Sequence, residues 1–397
     1  MKRPLSNVRI LDLSRMLSGP FGSMILADLG AGVIKIEDPE GGDKTRTMGP
    51  KLSEGQSAYF LSINRNKKSI TLDLRKEKGR EIFYELVKIS DVVFDNFRPG
   101  VLERLGCDYE TLKRINPKII CCSISSFGHT GPDKDLPGFD LILQARGGAM
   151  SITGESGRPP VRMGIPTGDL AGAMYAAYAV VAALYSREKT GVGEKIDVSL
   201  LDSQVSFLTY VAQYYLLDGK IPGPIGSGHQ TVVPYQAFKT KDAYVVIAIF
   251  VEKFWEKFCA VLGLEHLIKD PKFCTNDLRR KNKDELLPIL EQMFLERTAS
   301  DWLKLLADEG IPSAPVNAVD KVLSDPQLLA RNMLVEISHP DYGKVKILGN
   351  PVKMSGMEED SFTAAPTLGE HTVEILSELL GHSQEQIDKL EEEGVIR

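Results

Sequence analysis

Cysteine is scarce in this chain. Five residues in 397 are cysteine: Cys107, Cys121, Cys122, Cys259 and Cys274. The number is odd and no C-x-x-C pair occurs, which excludes a disulfide framework and a cysteine-based zinc site. Cys121 and Cys122 stand side by side in a predicted strand, so they point to opposite faces and read as small apolar residues in a reducing compartment. The six histidines are scattered without ligand spacing, so no metal site is expected. Charge of one sign is lacking too. The 48 basic and 54 acidic residues leave a net charge of −6, where a nucleic-acid binder shows a basic excess. The alanine-rich apolar run 170–185 falls short of the ~20 residues that cross a bilayer. The first residues carry no apolar leader. The expectation is a cytoplasmic protein with neither membrane nor nucleic acid as partner. A dinucleotide fingerprint is also absent. After the first predicted strand the glycines are Gly19 and Gly22, which do not make G-x-G-x-x-G.

What is present reads as α/β. A strand over 8–13, a helix over 21–29 and a strand over 33–37 form a β-α-β unit, the start of an open parallel sheet of Rossmann-like kind. Further strands are predicted over 69–74, 91–95, 118–125 and 195–198. The helix over 76–89 is amphipathic, with Ile82, Phe83, Leu86 and Val87 on one side. A long polar loop covers 38–59, and loops of that length inside a domain usually carry function. The divisions expected are a large domain over 1–217, a smaller α+β domain over 218–325 and a C-terminal segment over 326–397 that returns to the large one. The stretch 218–229 is rich in glycine and proline and reads as a linker or, at 226–229, a lid. Arg65, Lys67, Lys68, Arg75, Arg98 and Arg104 all flank strands of the large domain. They read either as solvated surface or, together, as a seat for a phosphorylated ligand.

The stretch Pro166-Thr167-Gly168-Asp169-Leu170 sets one carboxylate ahead of an alanine-rich run. The run reads as a helix apolar on every side, hence one buried in the core. Asp169 then lies at the helix N-terminus, where free N–H groups and the macrodipole keep a carboxylate ionised. Two readings stay open at this level: a capping aspartate, or a carboxylate nucleophile attacking an acyl carbon.

Several stretches together carry a resemblance. They are Val33-Ile34-Lys35-Ile36-Glu37, Asn66-Lys67-Lys68-Ser69-Ile70, Asn96-Phe97-Arg98-Pro99-Gly100, Gly168-Asp169-Leu170, Lys189-Thr190-Gly191-Val192-Gly193 and Leu368-Gly369-Glu370-His371-Thr372. In this order and spacing, from Pro4 to the C-terminus, the chain resembles the class III coenzyme A transferases, the family of formyl-CoA:oxalate CoA-transferase and alpha-methylacyl-CoA racemase. Thr45 to Pro50, Gly228-His229 and Val233 to Asp242 look like the dicarboxylate transferases within it. The resemblance implies a CoA-binding sheet domain, a smaller domain and two chains interlocked like rings. It implies acyl-CoA and a free carboxylic acid as substrates, with no tightly bound cofactor, and Asp169 as the nucleophile.

CoA contacts carry over by resemblance as well. Leu17 and Ser18 fall near the thioester, Leu72, Asp73, Leu74 and Arg75 at the adenine end, and Asn96, Phe97 and Arg98 on a CoA-contacting turn. Arg104 falls on the CoA phosphate, and Pro137, Gly138 and Phe139 on a further contact loop. Arg15, Arg46, Gly228 and His229 are candidates for the far carboxylate of a dicarboxylic acid, or are structural. Three departures weaken an oxalate assignment. Leu17 stands where the oxalate enzyme has glutamine, Asp38 replaces a basic residue, and its tetraglycine loop is missing. Phe139 stands where racemases carry a histidine, which weakens the racemase reading.

Overall fold

The computed structural model describes residues 3–52, 56–340, 342–357 and 362–397. The first two residues, and positions 53–55 of the long loop expected over 38–59, lie outside that set. The described residues form two compact units. One holds the chain up to Ala149, Arg162–Leu217 and Gln327–Arg397; the other holds Met150–Val161 and Asp218–Pro326. The short stretch 150–161, expected in the large domain, groups with the second unit instead. There the Gly226 N–H donates to the Gly154 carbonyl at 2.8 Å.

The first unit is built on six strands: β1 (Arg9–Asp12), β2 (Gly32–Glu37), β3 (Lys67–Thr71), β4 (Val92–Asp95), β5 (Ile120–Ser125) and β6 (Lys195–Ser199). They pair in parallel in the order β3-β2-β1-β4-β5-β6. Alternation along each strand sends neighbours to opposite faces. Leu11, Ile34, Val93 and Cys121 pack on one face against Ile82, Phe83, Leu86 and Val87 of helix Glu77–Lys88. Ile10, Val33, Val92 and Cys122 pack on the other, against Ala176, Ala177, Val180 and Ala183 of helix Thr167–Thr190. The two adjacent cysteines thus enter two different cores. Burial pushes the Cys107 and Cys259 thiols up to about 12, so neither is reactive.

The strand order reverses between β1 and β4. In a doubly wound sheet the crevice outside the carboxyl ends at that reversal is where ligands bind. The loops after β1 and β4 begin at Leu13 and Asn96, which is what positions the site.

Helix Thr167–Thr190 departs from expectation in two ways. It has 24 residues, running on through Arg187 and Lys189, so by length and composition it is apolar enough to cross a membrane, with half of its most apolar window buried in the fold. Nor is it buried on all sides: Met174, Tyr178 and Tyr185 are well exposed. The segment after β6 holds two separate helices, Leu200–Ser206 and Thr209–Asp218. Thr209, the first residue of the second, is at φ +40°, outside helical geometry.

The second unit carries a three-stranded antiparallel sheet of β7 (Tyr235–Lys239), β8 (Tyr244–Ala248) and β9 (Ser313–Pro315). Phe238, Phe258, Phe294 and Trp302 fill its core. Helix Lys283–Phe294 starts after Asn282, with Asp284 and Glu285 inside its first turn.

Candidate active site

The loop after β1 is held by buried charge. Asp12 is fully buried and accepts from the Ser14 N–H (2.9 Å), the Ser23 hydroxyl (2.6 Å) and the Lys67 ammonium (2.9 Å). Lys35, equally buried, donates to the Ser14 carbonyl at 2.7 Å and pairs with Asp43 at 3.2 Å. Burial pushes the Lys67 ammonium down to about 8, against the pull of Asp12. Asp43 in turn accepts the Met16 N–H at 3.2 Å. Met16 needs that hold, because it sits at φ +67°, a left-handed conformation that costs a side-chain-bearing residue about 1 kcal/mol or more.

From the other side the Asn96 amide clamps the same loop. Its Oδ1 accepts the Arg15 N–H at 2.8 Å and its Nδ2 donates to the Arg15 carbonyl at 2.6 Å. The chain can pass this closely only because position 19 is glycine. A Cβ there would lie 2.2 Å from the Ser14 Cβ. Asp95 fixes the opposing turn by accepting the Phe97 N–H at 3.0 Å. Leu17, Ser18, Asn96, Phe97 and Arg98 therefore converge from two loops on one cavity of about 230 Å³. Gly138 and Phe139 complete it from a third loop, and Asp169 from the Thr167 helix. Pro137, next in the chain to Gly138, is exposed and does not line it.

Asp169 is not the cap of its helix. The helix begins at Thr167, and Asp169 is its third residue, with no capping bond from its side chain. Asp140 caps it from 28 residues earlier, accepting the Gly168 N–H at 3.1 Å, while its other oxygen accepts from Gln144 at 2.6 Å. Among the described residues nothing donates to the Asp169 carboxylate. Its pKa is accordingly pushed up to about 7, first by burial and then by the charge of Asp140. The macrodipole argument gives the opposite sign. Desolvation outweighs it here because no N–H reaches the carboxylate.

Two hydroxyls on the cavity wall were not legible in the sequence. Ser125 ends β5, is buried, and its Oγ has no partner among the described residues. An unsatisfied buried hydroxyl costs about 1–3 kcal/mol. Tyr59 belongs to helix Ala58–Ile63. Burial, then the charge of Asp169, then that of Asp43, hold its phenol protonated.

A second cavity of about 330 Å³ lies at the ends of β2 and β3. Leu72, Asp73, Leu74, Arg75 and Arg104 line it, with Phe97 common to both cavities. Arg15 lines this second cavity and not the one with Asp169; its guanidinium is 5.3 Å from the Phe97 ring.

The six basic residues grouped from sequence separate cleanly. Arg65 is bidentate on Asp28 (2.9 and 2.6 Å), Lys67 is on Asp12, Lys68 pairs with Glu374, and Arg75 grips Asp73 at 2.8 Å. Arg98 and Arg104 are exposed and have no acidic partner among the described residues. They are the cations open to phosphate. Arg46 is not open to a substrate carboxylate. It is bidentate on Glu37 (2.8 and 2.6 Å), donates to the Pro366 carbonyl at 3.0 Å, and stacks 3.7 Å from the Phe60 ring. That spends its donors on the fold. Gly228 and His229 belong to the second unit, where the His229 ring lies 5.1 Å from Tyr235 and its Nδ1 accepts the Thr231 N–H at 3.2 Å.

The family model described as CoA-transferase family III matches residues 5–372. The chain belongs to CoA-transferase family III. It is therefore an enzyme that takes CoA thioesters as substrates. Among relatives, this family III transferase is 44% identical to succinyl-CoA:glutarate CoA-transferase of Mus musculus, over 99% of this chain and 90% of that one. It is 41% identical to acetyl-CoA:oxalate CoA-transferase of Acetobacter aceti, over 90% and 91%. A crystal structure of a CAIB/BAIF family protein from Brucella suis matches with a TM-score of 0.87 at 39% identity, covering 96% of this transferase and all of that chain. The six-stranded parallel sheet with helices on both faces is consistent with that fold.

Proposed function

We propose that the enzyme moves CoA from an acyl-CoA such as succinyl-CoA to a dicarboxylic acid, through covalent intermediates on Asp169. The observation that carries this reading is a carboxylate on the wall of a ligand-sized cavity, with no hydrogen-bond partner among the described residues and a pKa pushed up to about 7. Such a group is ionised in good part at neutral pH, yet is poorly solvated and unpaired, the state a nucleophile needs. Its oxygen attacks the thioester carbon, the C–S bond breaks, and an acyl-aspartyl anhydride and CoA thiolate result. The thiolate then attacks the Asp169 carbonyl, giving an aspartyl-CoA thioester and releasing the first acid. The acceptor carboxylate reverses the sequence. Activation is conserved throughout, so the exchange needs no ATP. Both intermediates are open to hydrolysis, so water must be kept out.

CoA lies across both cavities in this reading. Its thioester end is beside Asp169, Leu17, Ser18, Gly138 and Phe139, its middle over Asn96 and Phe97, and its phosphates at Arg98 and Arg104. The adenine end lies by Leu72 to Arg75. For the acceptor's far carboxylate, Gly228, His229 and Arg15 stay in the proposal and Arg46 leaves it. The domains proposed are a CoA-binding one made of the chain up to Ala149 with Arg162–Leu217 and Gln327–Arg397, and a smaller one made of Met150–Val161 and Asp218–Pro326. The exposed apolar residues Met174, Tyr178, Tyr185, Leu216 and Leu217 support a homodimer in which they are covered, as an interlocked pair of chains would do. A racemase reading lacks its second proton carrier: Phe139 occupies the cavity, and no histidine lines it among the described residues.

A panel of mono- and dicarboxylic acids against succinyl-CoA, read by mass spectrometry of the CoA products, tests the substrate assignment. Glutarate and related dicarboxylates should yield their CoA esters. Exchange confined to monocarboxylates would reject the dicarboxylate reading. Asp169→Ala should abolish exchange while still binding CoA.

A further inference from the structure

The cavity that holds Asp169 carries two hydroxyls that the fold does not use. Ser125 is the clearer case. Its neighbours all have employment: Ser123 donates to Asp95 at 2.5 Å, Ser126 donates to the Gly138 carbonyl at 3.1 Å, and Ser199, opposite Ser125 in the sheet register, caps the next helix by accepting the Asp202 N–H at 3.1 Å. Ser125 alone among them is buried without a partner among the described residues, at 6% exposure, on the cavity wall. One bond rotation moves its Oγ among three staggered positions.

Tyr59 is the second. Its backbone is held rigidly. Ser57 caps the helix by accepting the Tyr59 N–H at 3.0 Å, and the next residue, Phe60, is fully buried beneath Arg46, itself locked on Glu37. The Tyr59 side chain lines the same cavity as Asp169, and its phenol has no partner among the described residues. The cavity's cations, Arg98 and Lys134, are exposed to solvent, where their charge is screened. Of the two neutral donors, Ser125 is buried and Tyr59 is half-buried.

We propose that the Tyr59 and Ser125 hydroxyls are catalytic hydrogen-bond donors that hold the acyl oxygen while Asp169 is acylated. This rests on Asp169 being the nucleophile. When its oxygen bonds to the thioester carbon, the carbonyl electron pair moves onto the acyl oxygen. The oxyanion accepts hydrogen bonds from the two hydroxyls, and its collapse expels CoA thiolate with no proton transferred. Donors aimed at developing charge act on the transition state more than on the bound thioester.

The test is a single-turnover experiment on the full-length enzyme. Wild type, Tyr59→Phe and Ser125→Ala are mixed with succinyl-CoA without acceptor, quenched in acid, and the succinylated protein is followed by intact mass. Each variant should acylate roughly ten- to a hundredfold more slowly, since one oxyanion donor contributes a factor of about 10²–10³ in a fully enclosed site. CoA affinity, by titration calorimetry, should change less than threefold. Ser125→Ala only removes an unpaired oxygen, so it should melt no lower than wild type and keeps the test open if Tyr59→Phe folds poorly. Acylation of both variants at the wild-type rate, or a loss seen wholly as weaker CoA binding, overturns the assignment. No succinyl adduct in wild type overturns the covalent reading itself, a distinct outcome.

Discussion

Replacing Asp169 with asparagine should stabilise the protein above neutral pH in the same step that removes turnover. The carboxylate is held at about 7 when folded, against an ordinary value of 3.8, chiefly by burial. Below pH 3.8 the group is protonated in both states and costs nothing. Between 3.8 and 7 the unfolded chain ionises and the folded one resists, so this residue subtracts more stability as pH rises. Above pH 7 the full cost is present. One pKa step is about 1.4 kcal/mol, so the cost is about 4 kcal/mol at pH 8 and about 1.5 kcal/mol at pH 5. Asparagine keeps the shape and has no charge to bury. At the usual unfolding entropy per residue, a chain of this length gains about 1 °C per kcal/mol, which gives about 5 °C at pH 8 and about 2 °C at pH 5. Thermal melts of both proteins at the two pH values measure it, and other titrating groups cancel in the difference. A variant no more stable than wild type at pH 8, or a gain equal at both pH values, refutes the argument that Asp169 is a poorly solvated, unpaired carboxylate.

Three further predictions follow from the same geometry. Asp140→Asn should move the acid limb of the acylation rate to lower pH, because it removes the second cause of the raised Asp169 pKa while an amide oxygen still caps Gly168; a pH–rate profile reads the shift, and an unmoved limb counts against the coupling. Arg46→Ala should cost about 3–5 kcal/mol of stability by stranding the buried Glu37 carboxylate, seen in urea unfolding, with the acceptor KM in the remaining folded enzyme nearly unchanged. Arg98→Ala and Arg104→Ala should each raise KM for acyl-CoA roughly tenfold at low salt and flatten its salt dependence. Arg75→Ala should do so less, because Asp73 already neutralises that guanidinium.

Periodicity made the sheet and its flanking helix readable. Ile82, Phe83, Leu86 and Val87 recur at helical spacing and are all buried, and the adjacent cysteines do divide between two cores. Local signals ended there. The cap of the Thr167 helix comes from Asp140, and the partner of Arg46 is a strand residue nine positions back; no window of sequence encodes either pairing. The basic residues looked alike as a string, and only their tertiary partners separate the two open arginines from the four that are paired. The apolar run 170–185 marks only part of the Thr167 helix, because the last turn is charged, though Arg187 and Lys189 suit the negative end of the helix dipole. Ser125 left no trace in the sequence, since an idle hydroxyl is defined by the partners it lacks.

The most direct measurement is the chemical state of Asp169 during the reaction. Enzyme mixed with succinyl-CoA, treated with hydroxylamine, digested and sequenced by mass spectrometry should show a hydroxamate on the peptide that contains Asp169, at that residue alone. Full CoA exchange with an unmodified Asp169, or a hydroxamate on a different carboxylate, would contradict the account.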